Sequence, residues 1–208
     1  MQTRRNALGT FLMFTILAAY LIACSNDDTL STPDDNSTEE DENPDNLAAN
    51  GNFEAGTTGW IFFSNGGSAG IDNTESNGSG SNSAIIVANG AGNPGIKQER
   101  IGIDTVQAGD VVQIQFDVKG STEGEGGIFN LLLFIERAEG ESGDPITHIF
   151  EPRPVLSGEW TTFTGLYTIP DNAVVTGGIS FLIESVCGGV AGCKVTANVD
   201  NVLVLLNP

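Results

Sequence analysis

An all-β sandwich or jelly roll is the fold class that this 208-residue chain predicts. Three features carry the prediction. From Leu47 onward, short runs of alternating apolar and polar residues are separated by Gly, Asn, Asp and Pro, the pattern of half-buried strands and turns. The chain contains 27 Gly, frequent at turn signals. No segment of this region spaces its apolar residues at a helical period. Strands with one apolar face bury it by stacking two sheets.

The N-terminal segment predicts export. Arg4 and Arg5 precede an apolar run from Ala7 to Ala23, charged then greasy in the manner of a signal peptide. Leu21-Ile22-Ala23-Cys24 resembles the lipobox of bacterial lipoproteins, which implies cleavage after residue 23 and a lipid on Cys24; an uncleaved anchor helix is the alternative. Residues 24–46 combine low hydrophobicity with high negative charge, so they bury too little apolar surface to offset ordering entropy and read as a flexible linker. The acidic run behind Cys24 resembles a signal that directs lipoproteins to the cell-surface side of the outer membrane in glycan-scavenging Gram-negative bacteria.

The folded domain is expected over residues 47–208. Its opening, "NGNFEAGTTGW", brings Phe53 and Trp60, read as core residues, as is Trp160. Residues 64–84 are polar and Gly-rich, too long for a plain turn, and predict a loop carrying one or two edge strands. "SAIIVAN" follows. The clearest strand is "VVQIQFDVK", in which Val112, Ile114, Phe116 and Val118 share one face and Gln113, Gln115, Asp117 and Lys119 the other. "FNLLLFIER", "ITHIF", "WTTFTGLYTIP", "GISFLIES" and "KVTANVDNVLVLL" continue the pattern. "CGGVAGC" predicts a disulfide between Cys187 and Cys193, with Cys24 consumed by lipid.

Charge excludes one class of partner. The formal net charge is -19, and from Leu47 onward 18 acids face six bases, so nucleic acid is not expected to bind. "GGSAG" matches a nucleophile-elbow pattern but sits in a Gly-rich loop rather than between strand and helix. His148 is the single His.

Several motifs occur in order across residues 46–206. "NLAANGNFEAGTTGW", "SNGSGSNSAIIVAN", "IKQERIGIDTVQAGDVVQIQFDVKG", "SGEWTTFTGLYTIPDNA" and "VDNVLVL" together resemble carbohydrate-binding modules of families 4, 9 and 22. The resemblance implies a galactose-binding-like jelly roll that binds polysaccharide without cleaving it. It also implies a structural calcium held by Glu54 and Asp200, with backbone oxygens around Asn52 and Ser79 as helpers, an oxygen-only set suited to that ion. The alternative is that both carboxylates bond turn amides.

Polysaccharide recognition needs flat apolar surface plus amides, carboxylates or guanidinium groups. Phe62 and Phe63 are candidate stacking platforms, one of them pointing outward. Strand alternation offers Gln98, Arg100, Gln115, Arg137, His148 and Phe150 as one groove if their faces join. Converging basic residues would favour a uronic-acid polymer, scattered ones a neutral glycan. The resulting expectation is a lipid-anchored surface protein capturing polysaccharide beside an outer-membrane uptake complex. A protein-interaction or adhesion domain is the second reading, and a jelly-roll enzyme using Glu136 and Glu184 the third.

Overall fold

Two five-stranded sheets make up the computed structural model, which describes residues 43 and 45–208. The predicted signal segment 1–23, Cys24 and nearly all of the linker lie outside the described residues. The strands are β1 (Ile61–Phe63), β2 (Gly67–Asp72), β3 (Ser83–Asn89), β4 (Gly95–Ile101), β5 (Val111–Glu123), β6 (Gly127–Ile135), β7 (Ile146–Ile149), β8 (Thr161–Thr168), β9 (Ile179–Cys187) and β10 (Lys194–Leu206). One sheet runs β1-β4-β9-β6-β7 and the other β2-β3-β10-β5-β8. Every pairing is antiparallel. The fold is a β-sandwich jelly roll, and no described residue is helical.

Alternation builds the core. Val112, Ile114, Phe116 and Val118 of β5 are buried, while the intervening residues are half-exposed. Facing them from the first sheet, Phe129, Leu131, Leu133 and Ile135 of β6 and Ile179, Phe181 and Ile183 of β9 are buried in turn. Phe116 meets Phe129 edge-on at 6.4 Å and tilts against Phe163 at 5.3 Å.

The opening stretch docks where β10 is interrupted. A register shift between Asp200 and Leu203, with Asn201 at φ 50°, frees backbone groups that the incoming chain takes up. Leu47 N donates to Val204 O, Val202 N donates to Gly51 O, and Asn46 bonds both Val202 O and Val204 N. Among the described residues, Asn46 is thus the first bonded to the strands. Asn50 then organises the turn, bonding Gly56 O, Thr58 O and Ala55 N, while its own carbonyl accepts from Trp60 Nε1 at 3.0 Å. Trp60 packs on Phe53 at 5.0 Å and edge-on to Phe181 at 5.5 Å, as core residues should. Trp160 departs from expectation and is only half-buried. It precedes β8, and alternation groups it with the outward Thr162 and Thr164 rather than with Phe163.

Cys187 and Cys193 are joined, with Cα atoms 5.9 Å apart, at the end of the β9–β10 connection. Closing so short a loop restricts the unfolded chain by about 2 kcal/mol in the chain-entropy view. Replacing both cysteines with serine is expected to lower unfolding free energy by that amount. Urea melts with and without reductant provide the check.

Candidate functional site

The outward face of the β1-β4-β9-β6-β7 sheet carries two adjacent rows of different chemistry. The first row, read by register, is Phe63, Gly95, Glu184 and Asn130 across β1, β4, β9 and β6. The second is Ile61, Lys97, Leu182, Leu132 and Ile149, from one edge of the sheet to the other. With strands spaced about 4.8 Å apart, each row extends up to about 19 Å.

Phe63 has its place because residue 95 has no side chain. A Cβ on Gly95 would stand 2.8 Å from Phe63 Cζ and 3.1 Å from Glu184 Cβ, so the ring lies over the glycine and beside the acid. Phe62, the other half of the predicted pair, points inward and packs against the core. Adjacent strand residues face opposite ways, and the structure gives the outward place to Phe63.

Glu184 is 7% exposed and Asn130 7%. Asn93 Nδ2 donates to one Glu184 oxygen at 3.2 Å and Asn130 Nδ2 to the other at 3.3 Å. Asn130 Oδ1 accepts from Arg153 Nε at 2.7 Å, and Arg153 pairs with Glu151 at 2.9 Å. Asn93 is steadied in turn by Asn65, through its side chain and through its backbone N–H at 2.8 Å. A carboxylate has about four lone-pair directions, and two long bonds occupy two of them. Glu184 therefore retains acceptor capacity, and Arg153 retains donors. A carboxylate, amides and a guanidinium beside a flat ring form a surface suited to pairs of hydroxyls and the C–H face of a sugar ring.

The other predicted sugar residues are dispersed. Gln98 is 1% exposed and holds the opening stretch, accepting from Ala49 N at 3.1 Å and donating to Ala49 O at 2.6 Å. It does not share a face with Arg100, because a bulge between Gln98 and Ile101, with Arg100 at φ 54°, breaks the alternation. Gln115 lies on the opposite sheet, bonded to Thr164 at 3.3 Å, so it cannot join this face. His148 and Phe150 share a face, but it is the inward one. His148 stacks on Tyr167 at 4.2 Å and meets Phe150 at 4.8 Å, closing the gap between edge strands β7 and β8, and Phe150 is buried. Burial pushes the His148 pKa below its ordinary value. Arg100 and Arg137 do come together, with Arg100 Nη1 donating to Arg137 O at 2.9 Å.

Sequence reasoning missed Asn93 and Asn130 and gave Glu184 another role. The available signal was a lone polar residue inside an otherwise apolar strand, Asn130 in "FNLLLFI" and Glu184 in "ISFLIES", since such residues are kept only with partners.

The residues expected at a metal lie on the other sheet. Glu54 Oε1 accepts from Ser81 N at 2.8 Å and Asn82 N at 2.7 Å, and Asn52 Oδ1 accepts from Glu54 N. Asp200 is 2% exposed and accepts from Asn77 N at 2.7 Å and Asn201 N at 2.8 Å. The 73–82 loop, which includes Ser79, thus folds over Asp200. Beside it, Asp117 accepts from the side chains of Asn77 and Asn201 at 2.8 and 2.9 Å. Burial first, then the charges of Asp117 and Glu54, push the Asp200 pKa up to about 6 against the two amide bonds. Among the described residues no group of three or more His, Cys, Asp and Glu is arranged for a metal. Both carboxylates bond turn amides, the alternative reading, and their remaining lone pairs, with neighbouring amide and carbonyl oxygens, are the donor type a hard cation takes. A buried acid whose charged neighbours are also acids is electrostatically uncompensated.

A family model described as a carbohydrate binding domain, CBM_4_9, matches residues 45–182. No curated protein matches significantly. Among solved structures, the chain is similar to the CBM22-1 xylan-binding domain of Xyn10C from Paenibacillus barcinonensis, with TM-score 0.51 and 20% identity over 74% of this chain and 90% of that one. It is also similar to the enzymatically active domain of tailspike protein 4 from bacteriophage CBA120, with TM-score 0.54 and 16% identity over 78% of this chain and only 21% of that one. The Stig cyclase Fisc from Fischerella sp. TAU matches with TM-score 0.52 and 16% identity over 76% of this chain and 95% of that one. These structural likenesses establish the shared sandwich, while the family match, extending over more than half of the chain, places the protein in the carbohydrate-binding domain family CBM_4_9.

Proposed function

We propose that this protein is a lipid-anchored surface lipoprotein that holds polysaccharide on the outward face of its β1-β4-β9-β6-β7 sheet, next to a glycan uptake system. One observation carries the binding site: Phe63 lies over Gly95 beside the Glu184, Asn130 and Arg153 network, with an apolar row parallel to it. Both rows cross the strands from the edge β1, the second as far as the other edge β7, which suits the interior of a long chain. The lipid reading rests on Leu21-Ile22-Ala23-Cys24 and the export-like run before it. Mass spectrometry of the membrane-extracted protein tests it, a diacylated or triacylated Cys24 being expected.

Binding without cleavage is the reading the acids favour. Glu184 registers with Asn130, and Glu136 follows six residues further along the same strand direction, a separation of about 20 Å. Glycoside hydrolysis needs its two carboxyls within about 5 to 9.5 Å. On the opposite sheet, a calcium ion at Glu54 and Asp200, helped by oxygens near Asn52 and Ser79, would offset the buried acid charge and tie the opening stretch to β10.

Gel-retardation electrophoresis with soluble xylans, glucans, mannans and uronic-acid polymers tests the function. Retardation by at least one of them is expected. Retention of none, with a protein partner captured through the same face instead, would favour the adhesion reading.

A further inference from the structure

Six basic residues serve a domain with 18 acids, and four are neutralised in place. Lys97 pairs with Glu99 at 2.7 Å, Lys119 with Glu75 at 2.7 Å, Arg153 with Glu151 at 2.9 Å and Lys194 with Glu123 at 3.2 Å. Arg100 and Arg137 form no ion pair among the described residues, and the fold sets them side by side. The bulge at Arg100 carries its side chain from β4 past the start of β9 to the carbonyl of Arg137, beyond the end of β6. Gly177 makes room for it, since a Cβ there would stand 2.7 Å from Arg100 Nη1. A Cβ on Gly143 would likewise stand 2.9 Å from Arg137 Nε.

The nearby acids are committed elsewhere or unpaired with either arginine. Glu99 is held by Lys97, and Glu141 accepts from Thr176 Oγ1 at 2.5 Å. Glu136, Glu139 and Asp144 lie in or beside the same loop without bonding either guanidinium. The Arg100 guanidinium rests on the Arg137 backbone and has used one of its five N–H donors, and the Arg137 guanidinium, lying against Gly143, bonds nothing among the described residues. An anion would fill these donors, and a planar carboxylate matches either fork in two parallel bonds.

We propose that Arg100 and Arg137 form a carboxylate-reading subsite at the Ile101 end of the sugar-facing sheet, so that the polysaccharide held there carries uronic acid residues. This rests on the reading of that face as the glycan site. Arg100 N donates to Ser180 Oγ at 3.1 Å, and Ser180 is four residues from Glu184 along β9, about 13 Å. Between them lie Leu182 and its apolar row. A neutral backbone crossing the strands at Phe63 and Leu182 can therefore send an acidic branch along β9 to the arginines. A polymer charged on every residue fits less well, because Glu184 and Glu151 face the backbone row.

Calorimetric titration with glucuronoxylan, and with the same polymer after chemical reduction of its carboxyl groups, tests the subsite. The native polymer is expected to bind about tenfold tighter than the reduced one. The difference should shrink at about 1 M salt, where charges are screened beyond about 3 Å. Arg100→Asn, chosen because Asn tolerates a positive φ, and Arg137→Gln, which leaves the Arg137 carbonyl in place, are each expected to remove most of that difference and leave affinity for the reduced polymer unchanged. Equal affinity of the wild-type protein for both polymers, or discrimination that survives in both variants, would overturn the subsite alone. Binding of neither polymer would overturn the glycan reading of the face together with it.

Discussion

Replacing Glu184 with alanine is expected to reduce polysaccharide affinity about a hundredfold. Hydrogen bonds to a charged group contribute about 1.5–3 kcal/mol each, and two acceptor directions of the carboxylate are unfilled, so losing two bonds to sugar hydroxyls there removes about 3 kcal/mol or more. The same change leaves the amides of Asn93 and Asn130 without their acceptor, a cost of about 1–2 kcal/mol in stability. Glu184→Gln separates the two effects. It keeps the shape and one carbonyl oxygen but sets an NH2 against one of the two amide donors, so it should cost less stability than alanine while affinity still drops at least tenfold. Phe63→Ala, which removes the ring over Gly95 but no hydrogen bond, is expected to cost about 1–2 kcal/mol in binding and little in stability. Calorimetry and thermal melts of the three variants, side by side, provide the comparison.

Calcium is expected to raise the unfolding free energy by about 4 kcal/mol at a concentration a thousandfold above its dissociation constant. In a domain of this size that corresponds to a melting shift of about 10 °C. The pH dependence distinguishes a metal clamp from plain hydrogen bonding. In chelator the folded Asp200 holds its proton up to about pH 6, whereas in the unfolded chain it releases it near the ordinary value of 3.8. Between those values the native state binds more protons, so the metal-free protein should lose about 2 kcal/mol as pH rises from 4 through 6. With saturating calcium the trend reverses, because the ion needs the ionised carboxylate and protons compete with it below pH 6. Asp200→Asn should flatten the metal-free profile and abolish the calcium effect. Melting curves at pH 5 and 7.5, with calcium and with chelator, test all of these outcomes. An identical melting temperature with and without calcium at both pH values would argue against the clamp.

The fold was legible in the sequence because period two is a property of each strand alone. "VVQIQFDVK" announces a half-buried strand without reference to anything else, and β5 adopts it with Val112, Ile114, Phe116 and Val118 buried. The site was only partly legible, since it depends on which strands become neighbours and which face turns inward. Gln115 has the expected outward direction but belongs to the other sheet. In β7 and the residue after it, Ile146, His148 and Phe150 share the inward face against Thr147 and Ile149, and the aromatic pair closes the gap to β8 rather than facing a ligand. At Gln98 and Arg100 a single bulge reversed the parity on which their shared face depended.

The mistakes and the successes have one physical source. Local chemistry was read correctly wherever a residue's partners are near in sequence or its burial is dictated by alternation, as for Trp60 and the disulfide. The polar row needed four strands in register, β1, β4, β9 and β6, and antiparallel crossovers bring those together from positions 63, 95, 184 and 130. No spacing in the chain encodes that order. What the sequence did contain was the cost of Glu184 and Asn130 inside apolar strands, which only a shared network, open to a ligand on one side, offsets.

Amide chemical-shift mapping during titration with a soluble polysaccharide fragment that retards the protein tests the account most directly. The largest perturbations are expected at residues 61–63, 93–99, 128–134, 151–153 and 180–186, the outward face of the β1-β4-β9-β6-β7 sheet. Perturbations concentrated instead on the outward face of β5, β8 and β10, with the Phe63 and Glu184 signals unmoved, would contradict it.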